Sequence, residues 1–225
     1  MRLLCITDLH GRMNALERIL DHGGLPDAVL LGGDITNFGS PIDAIRVVQF
    51  ILQFPKFQQQ VPTVLAVAGN CDSAEIDRHL GEAGVALHGR GRVLGHLGIH
   101  GLSAIPPWKR GMYQFSEDQL AAALEAGYAE IQSAPRQVLL AHVPPRGLKV
   151  DRTFLLLHAG SPAVRSFIDR VQPALAFCGH IHEGRGIETV GKTQVVNCGF
   201  AGRGQYAVAQ IEKDDVHVSL CDVRL

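Results

Sequence analysis

Carboxylate, imidazole and amide side chains follow five of the apolar runs in this sequence, at the point where each run ends. These seven residues are Asp8, His10, Asp34, Asn70, His142, His180 and His182. Parallel strands of an α/β protein present their carboxyl ends at one edge of a sheet, where such proteins place their ligands. We therefore expect the seven side chains to converge, and their oxygen and nitrogen donors predict a site for two divalent metal ions.

The spacing of these residues supports this interpretation. In Asp8-Leu9-His10 and in His180-Ile181-His182, one residue separates the two polar side chains. Alternate side chains of an extended chain face the same way, so both members of each pair can face one ion. A lone Asp-x-His or a lone strand-end histidine is more often structural, but together the five positions favour a metal site.

Short apolar runs that alternate with segments of helical spacing would position these residues. Strands are predicted at 3–7, 28–31, 63–67, 137–141 and 174–178, and helices at 13–21, 41–54 and 116–131, with one more opening at Ser161-Pro162. Three of the helices have recognisable start signals, namely cap-then-proline pairs at Ser40-Pro41 and Ser161-Pro162 and a capping box at Ser116 to Gln119.

The middle and the end of the chain have sequence patterns that are typical of antiparallel strands. Residues 85–103 predict glycine-broken hairpins, and residues 186–225 a hairpin meander with a turn at Lys213-Asp214-Asp215. No linker or change in composition divides the chain, so we expect a single domain over residues 1–225. The expected fold class is α/β, with two stacked mixed β-sheets flanked by helices in a four-layer αββα sandwich.

Composition and charge argue against several classes of protein. Hydrophobic residues make up 46% and charged residues 19% of the chain, and the formal net charge of −1 argues against stable nucleic-acid binding. No apolar run is long enough to span a bilayer, so we expect no membrane partner, and the amino terminus turns acidic at Asp8, too early for a signal peptide. The five cysteines show no paired spacing, so we expect a cytoplasmic protein without disulfides.

The set of motifs resembles the calcineurin-like metallophosphoesterase family, whose pattern is D-x-H, G-D, G-N-H-D or G-N-H-E, H, and G-H-x-H. In this chain the corresponding residues are Asp8-Leu9-His10, Gly33-Asp34, Gly69-Asn70-Cys71-Asp72, His142 and Gly179-His180-Ile181-His182. The motifs occur in the family's order between residues 8 and 182. One position departs from the pattern, because Cys71 replaces a histidine, as in some small bacterial and archaeal phosphoesterases that this chain resembles.

The resemblance implies a role for each of the seven residues. One ion would be held by Asp8, His10 and His182, the other by Asn70, His142 and His180, and Asp34 would bridge both. Donors of these types suit Mn, Fe, Zn, Co or Ni, of which we expect Mn. Asp34, Asn70 and His142 would take part in catalysis.

Two further residues of the third motif are candidates for catalysis. Cys71 occupies the place of a histidine thought to protonate the leaving group, and a thiol is a poorer donor near neutrality than an imidazolium. We expect an enzyme that works best on esters whose leaving group needs little protonation, or one that recruits another acid. The alternative is a small buried thiol without a chemical role. Asp72 is expected either to orient a ligand or to cap a helix as Asp72-x-x-Glu75.

Candidate substrate contacts lie outside the motifs. Arg12 follows the first motif and could reach a substrate phosphate. Trp108, Lys109 and Arg110 combine an aromatic ring with two cations, which could stack on a base and hold a phosphate. Glu183 and Asn197 are candidates to support the metal ligands.

The resemblance implies hydrolysis of small phosphorylated substrates, including nucleotides, by a hydroxide that bridges two divalent ions. We expect phosphodiesters as substrates. A phosphomonoesterase or a nucleotide pyrophosphatase on the same site is the first alternative, and a non-catalytic scaffold with this fold is the second. The sequence leaves the oligomeric state open.

Overall fold

The structure is a computed structural model and describes residues 1–212 and 215–225. The strands are β1 Arg2–Ile6, β2 Ala28–Gly32, β3 Thr63–Val67, β4 Gly91–Leu94, β5 Leu97–Leu102, β6 Arg136–Ala141, β7 Leu175–Cys178, β8 Gly186–Val190, β9 Thr193–Asn197, β10 Gln205–Ile211 and β11 Val216–Asp222. The α-helices are α1 Met13–His22, α2 Pro41–Leu52, α3 Ala74–Glu82, α4 Glu117–Ala129 and α5 Pro162–Val171. None of the helices within these residues is long and apolar enough to cross a membrane.

The strands form two mixed sheets. The first sheet has the order β11-β10-β1-β2-β3, and the second has the order β4-β5-β6-β7-β9-β8. Strands β1, β2 and β3 are parallel, as are β5, β6, β7 and β9, and antiparallel strands complete the sheets. The carboxyl ends of the parallel strands therefore collect at one edge of each sheet.

Three apolar clusters hold the layers together, in agreement with the expected αββα sandwich. Leu30 and Leu65 of the first sheet pack with Val138 and Phe177 of the second, and all four are almost completely buried. A second cluster joins the first sheet to α1 and α2, and a third joins the second sheet to α4 and α5. Burial on both faces explains why the central strands are continuous apolar runs.

The predicted helix starts are confirmed. At α2, the backbone N–H of Ser40 donates to the Asp43 carboxylate at 2.9 Å. At α4, the N–H of Gln119 donates to the Ser116 hydroxyl at 3.3 Å, and the N–H of Ser116 donates back to the Gln119 side chain at 2.9 Å. At α5, the Ser161 hydroxyl accepts from the N–H of Val164 at 3.2 Å. These side chains satisfy donors that a helix leaves free at its first turn.

The hairpins predicted over residues 186–225 are confirmed, but they do not form one meander. β8 and β9 form a hairpin in the second sheet, whereas β10 and β11 form one in the first, where β10 pairs with β1. The chain crosses between the sheets over residues 198–204, where the N–H of Ala201 donates to the carbonyl of Thr7 at 3.0 Å. Residues 213 and 214 of the predicted turn at Lys213-Asp214-Asp215 lie outside the described residues.

The region 85–103 also differs from the prediction, because it contains one hairpin, β4–β5, instead of several. Its first part runs beside β3 and β5 through isolated pairings of Ala86 with Ala66 and of His88 with Gly101. Glycines in this region predict breaks in a strand, but they do not show with which strand each segment pairs.

Candidate metal centre

The seven predicted site residues lie together where the carboxyl edges of the two sheets meet. Asp8 and His10 follow β1, Asp34 follows β2, and Asn70 follows β3, all in the first sheet. His142 follows β6, and His180 and His182 follow β7, in the second sheet. The site is thus assembled from both sheets.

Asp34 lies between one histidine from each predicted metal set. Its Oδ2 atom is 3.6 Å from Nε2 of His10, and its Oδ1 atom is 3.6 Å from Nε2 of His142. Each carboxylate oxygen thus faces a different imidazole. This arrangement is the one that a carboxylate shared by two ions requires.

The first predicted set surrounds Asp8. Donor atoms of Asp8, His10 and His182 lie within 4.8 Å of one another, and Nε2 of His182 is 3.3 Å from Oδ1 of Asp8. The backbone N–H of His180 also donates to the Asp8 carboxylate, at 3.1 Å from Oδ2. Asp8 is fully buried and Asp34 is 3% exposed.

The second predicted set is built around His142. Its Nδ1 atom lies 2.9 Å from the carbonyl oxygen of Gly32, and its Nε2 atom lies 3.0 Å from Oδ1 of Asn70. A neutral imidazole that donates from Nδ1 presents a lone pair at Nε2. This nitrogen and the amide oxygen of Asn70 are then two acceptors that face each other. The rings of His142 and His180 are 5.3 Å apart between centroids. A cation suits these paired acceptors.

Backbone conformation brings several of these side chains into the site. Asp8, His10, Asp34 and His180 have φ angles of 56°, 49°, 47° and 64°, in the left-handed region that disfavours residues with a Cβ. Left-handed residues of this kind persist only where the surroundings fix them, and they cluster at functional sites.

Glycines precede three of the motif residues because a side chain there would enter the site. A Cβ at Gly69 would lie 2.2 Å from Oδ1 of Asp34, one at Gly179 would lie 2.1 Å from Oδ2 of Asp8, and one at Gly33 would lie 2.4 Å from Nδ1 of His142. The glycine in each of these three motifs is thus required by close packing of the backbone against a polar side chain of the site.

The charges of the site fit divalent cations. Burial, with the charges of Asp8 and Asp72, raises the pKa of Asp34 despite the opposing effect of His142. Burial disfavours protonation of His142, but the Asp34 and Asp8 carboxylates outweigh it and raise the pKa of that ring. Burial lowers the pKa of His180 to about 3. Among the described residues the ion-pair partners of Asp8 and Asp34 are histidines and not Lys or Arg, and divalent cations would supply the permanent positive charge that these buried carboxylates lack.

Cys71 contacts the site through both its backbone and its thiol. Its N–H donates to Oδ1 of Asp34 at 2.7 Å, and its sulfur lies within 4.8 Å of donor atoms of His10 and Asp34. Burial, followed by the charge of Asp34, raises the pKa of the thiol well above its usual value. The thiol is therefore protonated at neutral pH, and the amide nitrogen of Asn70 lies 3.3 Å from its sulfur.

Asp72 holds the backbone of the site. Its carboxylate accepts from the N–H groups of Ile35, Thr36 and Gly69 at 2.8 to 3.0 Å, and from the Thr36 hydroxyl at 2.8 Å. These bonds tie the loop after β2 to the loop after β3. The prediction that Asp72 caps the next helix is wrong, because the Ser73 hydroxyl accepts from the N–H of Ile76 and caps α3.

Of the two predicted supporting residues, one contacts the loop of the last motif. Asn197 is fully buried, and its amide donates to the carbonyls of Gly179 and Ile181 at 3.4 and 2.8 Å. It thereby holds the backbone on both sides of His180. Glu183 instead accepts from the N–H of Phe154 at 2.6 Å and so fastens a neighbouring loop.

Sequence reasoning missed Phe200, which packs on the histidines of the first set. Its ring stacks on His182 with centroids 4.4 Å apart and planes inclined by 10°, and it meets His10 edge-on at 5.4 Å. The guanidinium groups of Arg12 and Arg203 lie 5.9 and 5.6 Å from the Phe200 centroid. Arg12 is exposed beside the site, as expected, and Arg203 joins it because the chain crosses between the sheets here.

The predicted loop contacts lie on the other side of the centre. The Trp108 ring meets His180 edge-on at 6.2 Å and remains 58% exposed. Lys109 and Arg110 are exposed next to it, and neither forms an ion pair with a described residue. Aromatic rings therefore flank both ends of the histidine cluster.

Comparison with known proteins places this site in a family. The family model described as calcineurin-like phosphoesterase matches residues 1–184. The chain is 28% identical over 204 residues to the uncharacterized protein MJ1162 of Methanocaldococcus jannaschii, a match that covers 88% of this chain and 87% of that protein.

Solved structures show the same fold. The structure of TT1561 from Thermus thermophilus matches with a TM-score of 0.71 and 18% identity over 97% of both chains. A dimetal phosphatase from Danio rerio matches with a TM-score of 0.65 and 15% identity over 100% of this chain and 97% of that chain. Together with the family match over most of its length, these results show that the chain belongs to the calcineurin-like phosphoesterase family.

Proposed function

We propose that this chain hydrolyses phosphodiesters at a centre of two divalent metal ions, with manganese as the native metal. The observation that carries the proposal is the position of Asp34 between His10 and His142, 3.6 Å from each ring. Asp8, His10 and His182 would hold one ion and Asn70, His142 and His180 the other, with Asp34 shared. When bound, two such ions activate water and neutralise charge on the phosphoryl group.

The remaining residues orient this ligand set. The carbonyl of Gly32 accepts from Nδ1 of His142 and so directs Nε2 into the site, as second partners of metal-binding histidines commonly do. Asp72 and Asn197 fix the backbone of the ligand loops through their hydrogen bonds. The N–H of Cys71 holds one oxygen of Asp34 in place.

Two aromatic walls favour diesters over monoesters. Phe200 lies against His182 at one end of the centre, and Trp108 lies near His180 at the other. A phosphodiester carries an organic group on each of two ester oxygens, so both walls have a group to contact, whereas a monoester offers one. The protonated Cys71 thiol suits substrates whose leaving group needs little protonation.

A phosphomonoesterase or nucleotide pyrophosphatase is the second candidate. Arg12 and Arg203 place two guanidinium groups beside Phe200, and such groups suit a dianionic monoester or a second phosphate. The structurally similar protein from Danio rerio is described as a dimetal phosphatase. A scaffold that binds no metal is disfavoured, because the buried carboxylates Asp8 and Asp34 would then depend on neighbouring histidines alone for counter-charge.

We also propose a single domain over residues 1–225 and a cytoplasmic location. The five cysteines are free and four of them are buried, as suits a reducing compartment.

The test is hydrolysis of bis-p-nitrophenyl phosphate beside p-nitrophenyl phosphate, with Mn²⁺ added or chelated. We expect diester turnover that requires metal and falls at least about a hundredfold in Asp34→Asn. Asp21→Asn, at an exposed position on α1, is the matched control and should retain full activity. Preference for the monoester would support the second candidate, and a metal-loaded protein inactive on both substrates would contradict the proposal.

A further inference from the structure

Four consecutive large apolar side chains are exposed beside the metal centre. Phe154, Leu155, Leu156 and Leu157, which we call the apolar tip, are between 62% and 86% exposed. Exposed apolar residues elsewhere in the described chain, such as Leu25 and Val61, do not form such a run. Single exposed apolar residues are ordinary, but a contiguous patch marks a surface that meets an apolar partner.

The apolar tip has a defined conformation. The N–H of Leu156 donates to the carbonyl of Thr153 at 2.8 Å, and the N–H of Thr153 donates to the carbonyl of Leu157 at 2.9 Å. At the base of the loop the fully buried Asp151 accepts from the N–H groups of Leu148 and Gly160 at 2.9 and 3.1 Å. The tip is thus held outward by hydrogen bonds that leave its side chains unpacked.

The loop that carries the tip borders the metal centre. Glu183, next to His182, accepts from the N–H of Phe154 at 2.6 Å. A cavity of about 180 Å³ is lined by His158 and Gly160 of this loop and also by Trp108 and His180. The loop that carries the apolar tip and the exposed Trp108 therefore both contribute to a cavity that reaches a proposed metal ligand.

The loop of the apolar tip and the loop of Trp108 both carry exposed cations. The exposed basic residues in these two loops are Lys109, Arg110, Arg146, Lys149 and Arg152. None of the five forms an ion pair within residues 1–212 and 215–225. The nearby acids accept backbone hydrogen bonds: Glu183 from the N–H of Phe154 at 2.6 Å, Glu188 from that of Val150 at 3.0 Å, and Asp151 from those of Leu148 and Gly160. The outer surface thus combines apolar side chains with unpaired positive charge.

We propose that this surface docks the protein onto an anionic lipid bilayer, with the opening of the metal centre facing the membrane. Apolar side chains that enter the region between headgroups and acyl chains gain burial, and Trp favours that depth. Lys and Arg gain further from anionic headgroups. A tip that is three-quarters leucine would gain little from nucleic acid, which is bound mainly through phosphate contacts and base stacking. The inference goes beyond the proposed hydrolysis and does not depend on it, because docking requires no turnover.

Co-sedimentation of the full chain with vesicles tests the proposal. We expect binding to vesicles of phosphatidylcholine mixed with phosphatidylserine, and much weaker binding to phosphatidylcholine alone or at high salt. Phe154→Ser combined with Leu155→Ser should lower the partition coefficient about tenfold or more. Lys149→Glu combined with Arg152→Glu should lower the partition coefficient by a similar factor, but only for anionic vesicles.

The matched control is Leu25→Ser combined with Val61→Ser. These exposed residues precede β2 and β3 and so lie at the sheet edge opposite the metal centre. The control should bind vesicles like the wild type, and circular dichroism should show all variants folded. Failure to bind anionic vesicles, or equal loss in the control, would overturn the proposal. So would a wild-type dimer that ignores vesicles and dissociates when Phe154 and Leu155 are replaced, since a second copy would then cover the tip.

Discussion

The backbone N–H of Cys71 donates a hydrogen bond to Oδ1 of Asp34 across a distance of 2.7 Å. The residue after Asn70 therefore orients the shared carboxylate through its main chain, which almost any amino acid can supply. Its side chain is left free to vary without loss of that bond. This explains how the third motif can carry a thiol at this position and still orient the Asp34 carboxylate.

Replacement of this thiol should change proton donation without changing metal binding. We expect Cys71→His to raise the rate on diesters with alkyl leaving groups about tenfold, because an imidazolium can protonate the departing oxygen. The rate on bis-p-nitrophenyl phosphate should change little, since p-nitrophenolate leaves without a proton. Rates and metal content of the purified protein are the measurements.

Cys71→Ser is the control for this experiment, because it keeps the size and the backbone bond to Asp34 but adds no acid. It should match the wild type on both esters. If Cys71→His also leaves both rates unchanged, the thiol has only a packing role, and the expectation about proton donation is wrong.

Gly69→Ala should disable the centre, although it adds a single methyl group. The new Cβ would lie 2.2 Å from both the backbone nitrogen and Oδ1 of Asp34, so the carboxylate or the β3 loop must move. We expect loss of most metal binding and a lower melting temperature. Gly81→Ala in α3 meets nothing within 4 Å and should instead be neutral or stabilising by up to about 1 kcal/mol. Equal metal binding by the two variants would contradict the packing explanation.

The two guanidinium groups at Phe200 should contribute to substrate binding more than to chemistry. We expect Arg12→Ala and Arg203→Ala each to raise KM about tenfold while kcat changes less than about threefold, the loss typical of one contact to a charged group. Arg92→Ala, at an exposed position on β4, is the control and should change neither constant. A fall in kcat with unchanged KM would show instead that these cations act in the transition state.

His100 should make the fold sensitive to acid. It is fully buried against Tyr128 and Phe167, neither ring nitrogen has a partner within the described residues, and burial lowers its pKa to about 4. Between about pH 6.5 and pH 4 the unfolded chain binds a proton there and the folded chain does not, so the free energy of unfolding falls as the pH falls. The loss over that window should be roughly 3 kcal/mol from this residue.

The measurement is urea unfolding of wild type and His100→Leu at about pH 7.5 and about pH 4.5, with chelator present throughout. We expect the variant to lose roughly 2 to 3 kcal/mol less stability between the two pH values than the wild type. His217→Leu, at an exposed position on β11, is the control. Identical pH dependence of all three proteins would show that His100 is not held neutral.

The parts of the fold that could be predicted are those with local causes. Helix starts at Ser40, Ser116 and Ser161 depend on side chains within three residues, and the structure confirms them. The sheet joined by the last strands depends instead on long-range pairing, such as Leu4 with Val208, which periodicity does not encode. The sequence therefore predicts the two hairpins over residues 186–225 but not their division between two sheets.

The same distinction applies to the candidate site. The seven polar residues could be identified because each follows a strand, and the structure brings them together. Phe200 carried no signal, since its contact with His182 arises only from the crossing between the sheets. The role of Asp72 was also hidden, because its partners at Ile35 and Thr36 are 37 and 36 residues away in the chain.

Calorimetric titration of Mn²⁺ into metal-free wild type and Asp34→Asn tests the central claim most directly. If Asp34 is shared by two ions, the wild type should take up two Mn²⁺ per chain, and Asp34→Asn should bind at least one of them about a hundredfold more weakly. Asp21→Asn should titrate like the wild type. A wild type that takes up a single ion, or an Asp34→Asn variant that still binds two with unchanged affinity, would contradict a centre built around this carboxylate.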